Sequence, residues 1–570
     1  MNHGWLPVVQ KRVRLSRLTA LFQLVVAAII CAPALAHPSL ALPGKAGLAD
    51  LPGTVNFHWL VQERGLLQAA HSRLLMYPAS IDRIILDGFP LDALFSWPFL
   101  TVFGWPAGFT FFVFACFAAI GLSTAWLAKA WWGSPTAAVI AGVVAQCNPY
   151  LIREVMDGRP TQLFGAIFLP LCLGFLLKSI AHERVQDGLA AGVFLGLGAL
   201  SYWYYGVFFS ICAGLLLAPA AWRNPRKLLL LAPLALGTIF ICGGPALYTA
   251  AASQSMPGLD MAWTDEVVHG NSSMMLSQLI DLRDLGNTIQ TDRVMTAQLF
   301  VFGLCILACF RSPVRRWTAP LVILGCAITL AAGPSMTLFN GPDLPGPFHI
   351  FNLTGVLRRM WWPDRALVMA IPAISLLAAG GANWLQQRHF KHRLPWWGAC
   401  TGITILVLTE AFITMPGLPM PTTWGASTDR STLLAEASGP VLILPLGSGL
   451  DEPDARMLVD QIHHGRPLVN GPMPPSSSTA PSSYSSFTQT PGLSHLSDCE
   501  TNPNTTAPIN REEAFRNLRA YGIDTVYLDI ELADKVAAGG QAYRSCIETL
   551  LNTAQSSSGS LWIYAVPASS

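Results

Sequence analysis

Long apolar stretches alternate with short polar segments from residue 18 to residue 415 of this chain. An α-helix needs roughly 17 to 25 largely apolar residues to cross the hydrocarbon core of a bilayer. Helices are expected in these stretches because lipid cannot satisfy the backbone polar groups of an open strand. The pattern predicts a mainly α, polytopic helical membrane protein with about 11 transmembrane helices, at residues 18–36, 106–128, 135–148, 161–177, 188–204, 206–222, 228–248, 295–310, 316–333, 366–385 and 395–415.

Basic residues are concentrated in every second polar segment of this pattern. These segments contain Lys11, Arg12, Arg14, Arg17, Lys129, Lys178, Arg184, Arg223, Arg226, Lys227, Arg311, Arg315, Arg316, Arg388, Lys391 and Arg393. Their basic density is about four times that of the intervening segments, a bias that marks the cytoplasmic side of a membrane protein. The charge pattern therefore predicts a cytoplasmic N-terminus and an exported C-terminus.

The first apolar segment allows a second interpretation. Arg12, Arg14 and Arg17 precede an apolar stretch that ends in Ala34 and Ala36, as in a secretory signal peptide with its cleavage site. Both interpretations place the loop that follows outside the cytoplasm.

The composition agrees with a membrane protein, because 52% of the 570 residues are hydrophobic and only 12% are charged. Ten of the twelve cysteines lie in apolar runs, where cysteine behaves as a small hydrophobic residue. The other two, Cys499 and Cys546, lie in the exported tail, where a disulfide and two free thiols are both open. No Cys/His spacing is typical of zinc, and a net charge of +2 does not favour nucleic-acid binding.

The predicted organisation has three blocks: a cytoplasmic N-terminus, residues 1–17; a transmembrane domain, 18–415; and an exported tail, 416–570. Two long exported loops, 37–105 and 249–294, interrupt the transmembrane domain. The apolar and aromatic residues of the first loop, including Phe57, Trp59 and Leu60, predict amphipathic helices on the membrane surface.

The tail is predicted to be a small α/β domain. Short β-rich runs at 440–445, 524–529 and 561–566 alternate with helical stretches near 431–437, 452–464, 511–521 and 541–554. The stretch 472–508, which is rich in Ser, Thr and Pro, is predicted to be a loop.

Charged residues are scarce within the predicted spans, and Glu410 is the carboxylate that lies deepest in an apolar run. An ionisable residue inside a membrane is a functional candidate by default. Glu410 is near the outer end of its span, however, so a hydrogen-bonded structural role is the better interpretation. A proton-coupled carrier would need several such groups facing one another.

Many polar side chains gather instead in the predicted outer segments, among them Asp50, His58, Arg153, Glu154, Asp157, Arg159, Tyr202, Tyr204, Tyr205, Arg358, Arg359, Asp364 and Arg365. Arginine can bind a phosphate through two hydrogen bonds, and a carboxylate can take a proton from an attacking hydroxyl. Such a set suits an amphiphilic substrate with an anionic head. Taken singly, each residue is better explained as an interfacial anchor or a member of a loop ion pair.

Several of these segments resemble a family. The matching pieces are AGVVAQCNPY (141–150), GRPTQL (158–163), GALSYWYYG (198–206), AGPS (332–335), RRMWWPDR (358–365), VLILP (441–445) and HGRPLVNG (464–471). In this order they resemble the largely uncharacterised bacterial branch of the C superfamily (GT-C) of glycosyltransferases. The resemblance implies a multi-pass protein of the bacterial cytoplasmic membrane with a periplasmic or extracellular domain.

The resemblance also implies transfer of a sugar from a polyprenyl-phosphate carrier to an envelope acceptor on the outer face of the bilayer. Members use an acidic residue of the first exported loop, and Asp50 matches it, with His58 as a second catalytic candidate. The expected substrate-binding residues are Arg153, Arg159, Tyr204, Tyr205, Arg358, Arg359, Asp364 and Arg365. No paired-acid motif lies near Asp50, so neither a metal nor another cofactor is predicted. Arg159 replaces a histidine that is usual in relatives.

The resulting hypothesis is direct displacement at the anomeric carbon, with Asp50 as general base and loop arginines stabilising the departing lipid phosphate. Two other functions fit the same topology. One is a non-catalytic scaffold that presents the tail to an envelope-assembly partner. The other is a lipid or polysaccharide translocator, which would require a polar path through the helices. The sequence does not identify the sugar or the acceptor.

Overall fold

The computed structural model describes residues 14–45, 50–79, 81–82, 91–253, 298–337, 343–353, 360, 362–390, 395–415, 417–425, 428–446, 456–471, 481–502, 510–535, 539–552, 554, 556–558 and 560–567. The predicted exported loop 249–294 lies outside the described residues beyond residue 253.

Helices make up most of the described chain. The first twelve are α1 Arg17–Ile30, α2 Ala32–Ala36, α3 Asp50–Arg64, α4 Leu66–Ala70, α5 Leu91–Phe103, α6 Ala107–Trp132, α7 Pro135–Gln146, α8 Pro149–Met156, α9 Pro160–Ala166, α10 Phe168–His182, α11 Val185–Ser201 and α12 Trp203–Arg223. The others are α13 Leu231–Ser253, α14 Leu299–Arg311, α15 Val314–Ala331, α16 Ala370–Leu385, α17 Trp396–Thr414, α18 Asp429–Ala435, α19 Arg456–His464, α20 Ser482–Thr488, α21 Leu493–Thr501, α22 Arg511–Ala520, α23 Ile530–Ala533 and α24 Gly540–Leu551. Short 3₁₀ helices cover Pro225–Leu230, Pro347–Leu353 and Pro363–Met369, and a π-helical turn covers Gln386–Phe390.

The strands are short. They are β1 Ala41–Pro43, β2 His71–Ser72, β3 Ile81–Asp82, β4 Ser335–Thr337, β5 Asp343–Pro345, β6 Thr422–Trp424, β7 Leu442–Leu444, β8 Thr525–Asp529, β9 Ser556–Ser558 and β10 Leu561–Ala565. A four-stranded sheet has the order β7-β8-β10-β9, and the other strands form two-stranded sheets.

The chain forms two compact units. Unit 1 consists of Met1–Pro38, Thr110–Tyr248 and Met261–Thr422. Unit 2 consists of Ser39–Phe109, Thr249–Asp260 and Thr423–Ser570. The tail thus shares its unit with most residues of the predicted first exported loop.

Within the described chain, 8 helical segments are long and apolar enough to cross a membrane. They are Ala107–Trp132, Pro135–Met156, Pro160–His182, Trp203–Arg223, Pro225–Tyr248, Val314–Ala331, Pro363–His389 and Trp396–Thr414. The chain is therefore a multi-pass membrane protein. Every predicted span overlaps a helix, but those at 18–36, 188–204 and 295–310 coincide with the shorter helices α1, α11 and α14. The predicted number of eleven spans is accordingly not confirmed.

Helix α1 is held in unit 1 by buried glutamine side chains. Gln23 Nε2 donates to the carbonyl of Val139, and Gln146 Nε2 donates to the carbonyls of Gln23 and Phe117. Gly142 leaves room for this network, because a Cβ there would collide with the Gln23 amide. These contacts link α1 to α6 and α7 within unit 1.

Glu410 of α17 has a structural role at the start of α14. Its carboxylate accepts hydrogen bonds from the backbone N–H groups of Phe300 and Val301. The first N–H groups of a helix lack partners inside the helix. The side chain of Gln298, the N-cap residue, accepts no hydrogen bond from those of α14. Glu410 therefore caps a neighbouring helix, which explains a carboxylate in an apolar run.

The core of unit 2 surrounds the four-stranded sheet. β7 is parallel to β8, with Leu442 opposite Val526, and β10 is antiparallel to both β8 and β9. Asn470 completes the edge of β7, because its side chain accepts from the N–H of Ile443 and donates to the carbonyl of the same residue. The α/β fold and the strands predicted for the tail are thus present.

The apolar residues of α3 are buried and do not lie on a membrane surface as predicted. Phe57, Trp59 and Leu60 belong to the hydrophobic core of unit 2. Helix α19 of the tail packs on α3, and Asn56 donates to the carbonyl of Leu458 in α19. The prediction failed because the sequence does not reveal that the tail covers this helix.

The predicted loop 472–508 contains two helices, α20 and α21. Tyr484, Phe487, Leu496 and Cys499 from these helices are buried in the core of unit 2. Cys499 forms a disulfide with Cys546 of α24. Tertiary packing and this covalent link order a stretch whose Ser- and Thr-rich composition is typical of loops.

Removal of the cap at α14 should destabilise unit 1. We expect Glu410→Ala to lower the free energy of unfolding by roughly 0.5–2 kcal/mol, the usual cost of a lost helix cap. Glu410→Gln retains an acceptor oxygen and should lose less. Ile413→Ala, at a largely exposed position of the same helix, is the matched control. Thermal unfolding in detergent measures the effect, and equal midpoints for Glu410→Ala and Ile413→Ala would contradict it.

The disulfide should stabilise unit 2. A bond between residues 47 apart in sequence restricts the unfolded chain, so its loss should cost roughly 2–4 kcal/mol. We expect a reductant to lower the unfolding midpoint of the native protein but not that of a Cys499→Ser, Cys546→Ser double variant. Equal sensitivity of both proteins to the reductant would refute the assignment.

Candidate active site

The site begins at the corner between α8 and α9. Asn148 caps α8 by accepting from the N–H of Tyr150, and Pro149 occupies the first helical turn. At the other end Gly158 adopts a left-handed conformation with φ 83°. The N–H of Arg159 then donates to the carbonyl of Glu154, and that of Gly158 donates to the carbonyl of Val155. This C-terminal motif turns the chain so that Arg159 lies beside Glu154.

Glu154 is the centre of the site. Its side chain is 0% exposed, and its Oε2 accepts from Arg159 Nε at 2.7 Å. The same oxygen forms an ion pair with Arg365 Nη1, from the 3₁₀ helix Pro363–Met369. Two guanidinium groups on one buried carboxylate compensate for the loss of its hydration.

Two further carboxylates extend this cluster. Asp157 Oδ2 lies 2.8 Å from Arg159 Nη2 and 3.4 Å from Arg153 Nε. Asp364 Oδ2 lies 3.9 Å from Arg153 Nη1. Three arginines thus alternate with three carboxylates, and their formal charges balance. The outer arginines differ from the inner one, because Arg153 and Arg159 are about one-fifth exposed whereas Arg365 is buried.

Tyrosines from the corner between α11 and α12 surround the cluster. The guanidinium of Arg365 lies 5.8 Å from the ring centroid of Tyr202, within cation–π range. The hydroxyls of Tyr205 and Tyr150 are hydrogen-bonded at 3.0 Å. The ring of Tyr204 packs on Tyr202 at 4.9 Å. Three segments that are distant in sequence therefore meet around Glu154.

Some buried polar atoms of the cluster retain hydrogen-bonding capacity. Glu154 Oε1, Asp364 Oδ1 and Arg365 Nε have no hydrogen-bond partner among the described residues. Buried groups of this kind are rare and call for an explanation, such as a water or a substrate. The cluster can therefore accept further polar contacts.

His58 and Asp50 belong to unit 2, where α3 carries both. Asp50 is the first residue of α3 and is exposed. His58 is buried, with Nδ1 2.8 Å from Ser96 Oγ and Nε2 3.2 Å from Asp92 Oδ2. Ser96 in turn donates to the carbonyl of Ala93. The imidazole thus joins α3 to α5 inside unit 2.

The structure brings five of the predicted site residues into the cluster: Arg153, Arg159, Tyr205, Asp364 and Arg365. Tyr204 lies beside it, and Arg358 and Arg359 lie outside the described residues. Glu154 and Tyr202 were named among the polar residues of the outer segments, but neither they nor Tyr150 were among the expected catalytic or substrate-binding residues. A signal for Glu154 was available, since it follows Arg153 directly and precedes Arg159 by five residues in the same short segment.

Among the described residues, one group has the spacing of metal ligands: His495, Cys499 and Cys546. His495 Nε2 is 3.5 Å from Cys499 Sγ and 3.9 Å from Cys546 Sγ. Metals bind the thiolate form of cysteine, and both sulfurs are joined in the disulfide. In this form the group is a structural one.

No protein-family model and no curated protein sequence matches this chain. ArnT from Cupriavidus metallidurans in the apo state has a similar structure, with a TM-score of 0.52 and 12% identity, and the match covers 97% of this chain and 98% of that one. ArnT bound to undecaprenyl phosphate matches with a TM-score of 0.51, 13% identity and the same coverage.

The archaeal oligosaccharyltransferase AglB from Archaeoglobus fulgidus, in complex with an inhibitory peptide and a dolichol-phosphate, matches with a TM-score of 0.48 and 10% identity. That match covers 92% of this chain and 72% of AglB. The ArnT matches extend over nearly the whole of both chains and confirm the fold expected from the sequence motifs. This chain has the fold of the GT-C glycosyltransferases.

Proposed function

We propose that this protein is a membrane glycosyltransferase that transfers a sugar from a polyprenyl-phosphate carrier to an envelope acceptor on the outer face of the cytoplasmic membrane. The GT-C fold supports the reaction class. A fold neighbour, ArnT, has been solved with undecaprenyl phosphate bound. The charge pattern of the loops supports the orientation.

The weak ion pairing of Arg153 is the observation that carries the proposal. Its contacts with Asp157 and Asp364 are 3.4 and 3.9 Å long, beyond the usual 2.7–3.2 Å of an N–H···O hydrogen bond. The side chain is also partly exposed. Arg153 can therefore bind a phosphate without first breaking a strong ion pair, whereas Arg365 is buried and bonded to Glu154.

The proposed reaction is a single displacement. Asp50 takes the proton of the acceptor hydroxyl, and the resulting oxygen attacks the anomeric carbon of the donor sugar. The bond between that carbon and the carrier phosphate breaks, and its electron pair remains on the phosphate. Arg153 and Arg159 stabilise the negative charge of the leaving group. We assign no step to a metal ion, so transfer should persist in a chelator.

Loss of the proposed base should abolish most of the transfer. We expect Asp50→Asn to lower kcat by about 10²-fold or more, because general-base catalysis contributes factors of this order. The measurement uses purified protein in liposomes with labelled polyprenyl-phosphate sugars. Glu63 is an exposed carboxylate near the C-terminal end of α3, and the Glu63→Gln variant should retain normal transfer activity. Unchanged transfer by Asp50→Asn would sink the assignment of the base.

The partly exposed Arg153 and the buried Glu154 should respond differently to mutation. We expect Arg153→Gln to reduce kcat/KM roughly 10- to 100-fold, since a hydrogen bond to a charged group is worth about 1.5–3 kcal/mol. Its thermal stability should change little. Arg153→Lys, which keeps the charge, should recover part of the activity.

Glu154→Gln, in contrast, should lower stability by roughly 3–5 kcal/mol, because it leaves the buried Arg365 without its counter-charge. Thermal unfolding in detergent compares it with Arg516→Gln, an exposed position of α22. Normal stability of Glu154→Gln would show that the ion pairs are not structural. Absence of transfer by the native protein with the labelled polyprenyl-phosphate sugars would instead favour a non-catalytic scaffold.

A further inference from the structure

Three side chains that can bind a metal come together from two helices of unit 2. His495 and Cys499 are four residues apart on α21, so their side chains lie on the same side of that helix. Cys546 belongs to α24 and is 47 residues from Cys499 in the chain. The nitrogen and sulfur ligand atoms of the three residues all lie within 4.8 Å of one another. Only the packing of α21 against α24 completes the group, since its third member is distant in sequence.

The distances from the imidazole to the two sulfurs match those of a tetrahedral zinc site. With Zn–N and Zn–S bonds of about 2.0 and 2.3 Å, a tetrahedron places the nitrogen roughly 3.5 Å from each sulfur and the sulfurs roughly 3.8 Å apart. His495 Nε2 is 3.5 Å from Cys499 Sγ and 3.9 Å from Cys546 Sγ. The nitrogen therefore already has the position of a ligand relative to both sulfurs. Only the sulfurs must separate, and cleavage of their bond permits this.

The group is buried but lies close to solvent on one side. Cys499 is 0% exposed, Cys546 is 3% exposed and His495 is 7% exposed, within the apolar core of unit 2. Thr549 of α24 is exposed, and its Oγ1 is 3.3 Å from His495 Nε2. A water molecule on this side can complete a site with three protein ligands. The apolar surroundings on the other sides limit exchange of a bound ion.

The donor atoms select the class of metal. Thiolate sulfur and imidazole nitrogen are the usual ligands of Zn²⁺, whereas Mg²⁺ and Ca²⁺ bind oxygen ligands. The ligand must be the thiolate, and both sulfurs are joined in the disulfide of this structure. Metal binding and the disulfide therefore exclude each other, and the redox state of the two cysteines decides between them.

We propose that the reduced form of this group binds Zn²⁺ through His495 Nε2 and the thiolates of Cys499 and Cys546, so that zinc replaces the disulfide as the link between α21 and α24. Two thiols of a reductant supply two electrons and two protons, which convert the S–S bond into two thiols, and the reductant becomes a disulfide. Zn²⁺ then displaces the two thiol protons, which pass to water. This inference does not depend on the proposed glycosyl transfer.

Zinc uptake by the full-length protein in detergent tests the proposal. The protein is reduced with a phosphine, freed of metal with a chelator, desalted without oxygen and titrated with Zn²⁺. Elemental mass spectrometry should find one more Zn²⁺ per chain in the reduced protein than in the oxidised protein. Co²⁺ in place of Zn²⁺ should give the absorption bands of tetrahedral thiolate coordination. Zn²⁺ should also raise the unfolding midpoint of the reduced protein.

Variants separate this site from the ten other cysteines of the chain. The double variant Cys499→Ser, Cys546→Ser should show no uptake that depends on reduction. His495→Ala keeps both cysteines and should weaken Zn²⁺ binding by more than the roughly 10- to 100-fold cost of losing an outer-shell partner. His495→Cys supplies a thiolate instead and should restore binding. His389→Ala, at an exposed histidine of unit 1, is the matched control and should bind zinc like the native protein.

Two outcomes would overturn the proposal. One is equal zinc uptake by the reduced native protein and the reduced double variant, which would assign the metal to other cysteines. The other is native affinity in reduced His495→Ala, since the histidine would then not be a ligand. The unfolding midpoint of oxidised His495→Ala shows whether this variant keeps its fold. If it does not, His495→Asn, which keeps a polar side chain at this position, replaces it in the comparison.

Discussion

The organisation of the candidate site depends on the ion pairs of the buried Glu154 carboxylate. It bonds to Arg159 from its own corner and to Arg365 from the segment before α16. Arg365 also packs on Tyr202, at the corner between α11 and α12. Three of the motifs that resemble the GT-C superfamily therefore converge on one charge. Because a buried charge without a partner is costly, this arrangement strongly restricts how the three segments can be placed.

A second constraint is the apolar environment of the membrane-spanning helices, in which each polar group needs a hydrogen-bond partner from the protein. Gln23 and Gln146 bond to carbonyls of neighbouring helices, and Glu410 caps α14. Basic residues of the predicted cytoplasmic segments use another solution. Lys178 lies 4.3 Å from the ring centroid of Trp126, and Arg316 lies 5.3 Å from that of Trp132. These cations lie over aromatic rings, whereas the arginines around Glu154 pair with carboxylates.

The sequence predicted the elements of the protein better than their partners. The helices that overlap the predicted spans and the strands of the tail were found from apolar runs, whose periodicity is a local property. The apolar side of α3 was also recognised, but its neighbour was not, since Leu458 of α19 is 402 residues from Asn56 of α3 in the chain. The helices α20 and α21 escaped prediction because packing and a disulfide order them, and neither is visible in local composition.

The sequence by itself determined that this is a multi-pass membrane protein and which short motifs carry its arginines, tyrosines and carboxylates. Hydrophobicity and charge are additive along the chain, so they can be read without a fold. Only the tertiary structure decided that Glu154 lies between Arg159 and Arg365, that His58 is enclosed by Asp92 and Ser96, and that His495 lies beside a disulfide. These features depend on contacts between distant residues, and a local pattern contains no information about which surfaces meet.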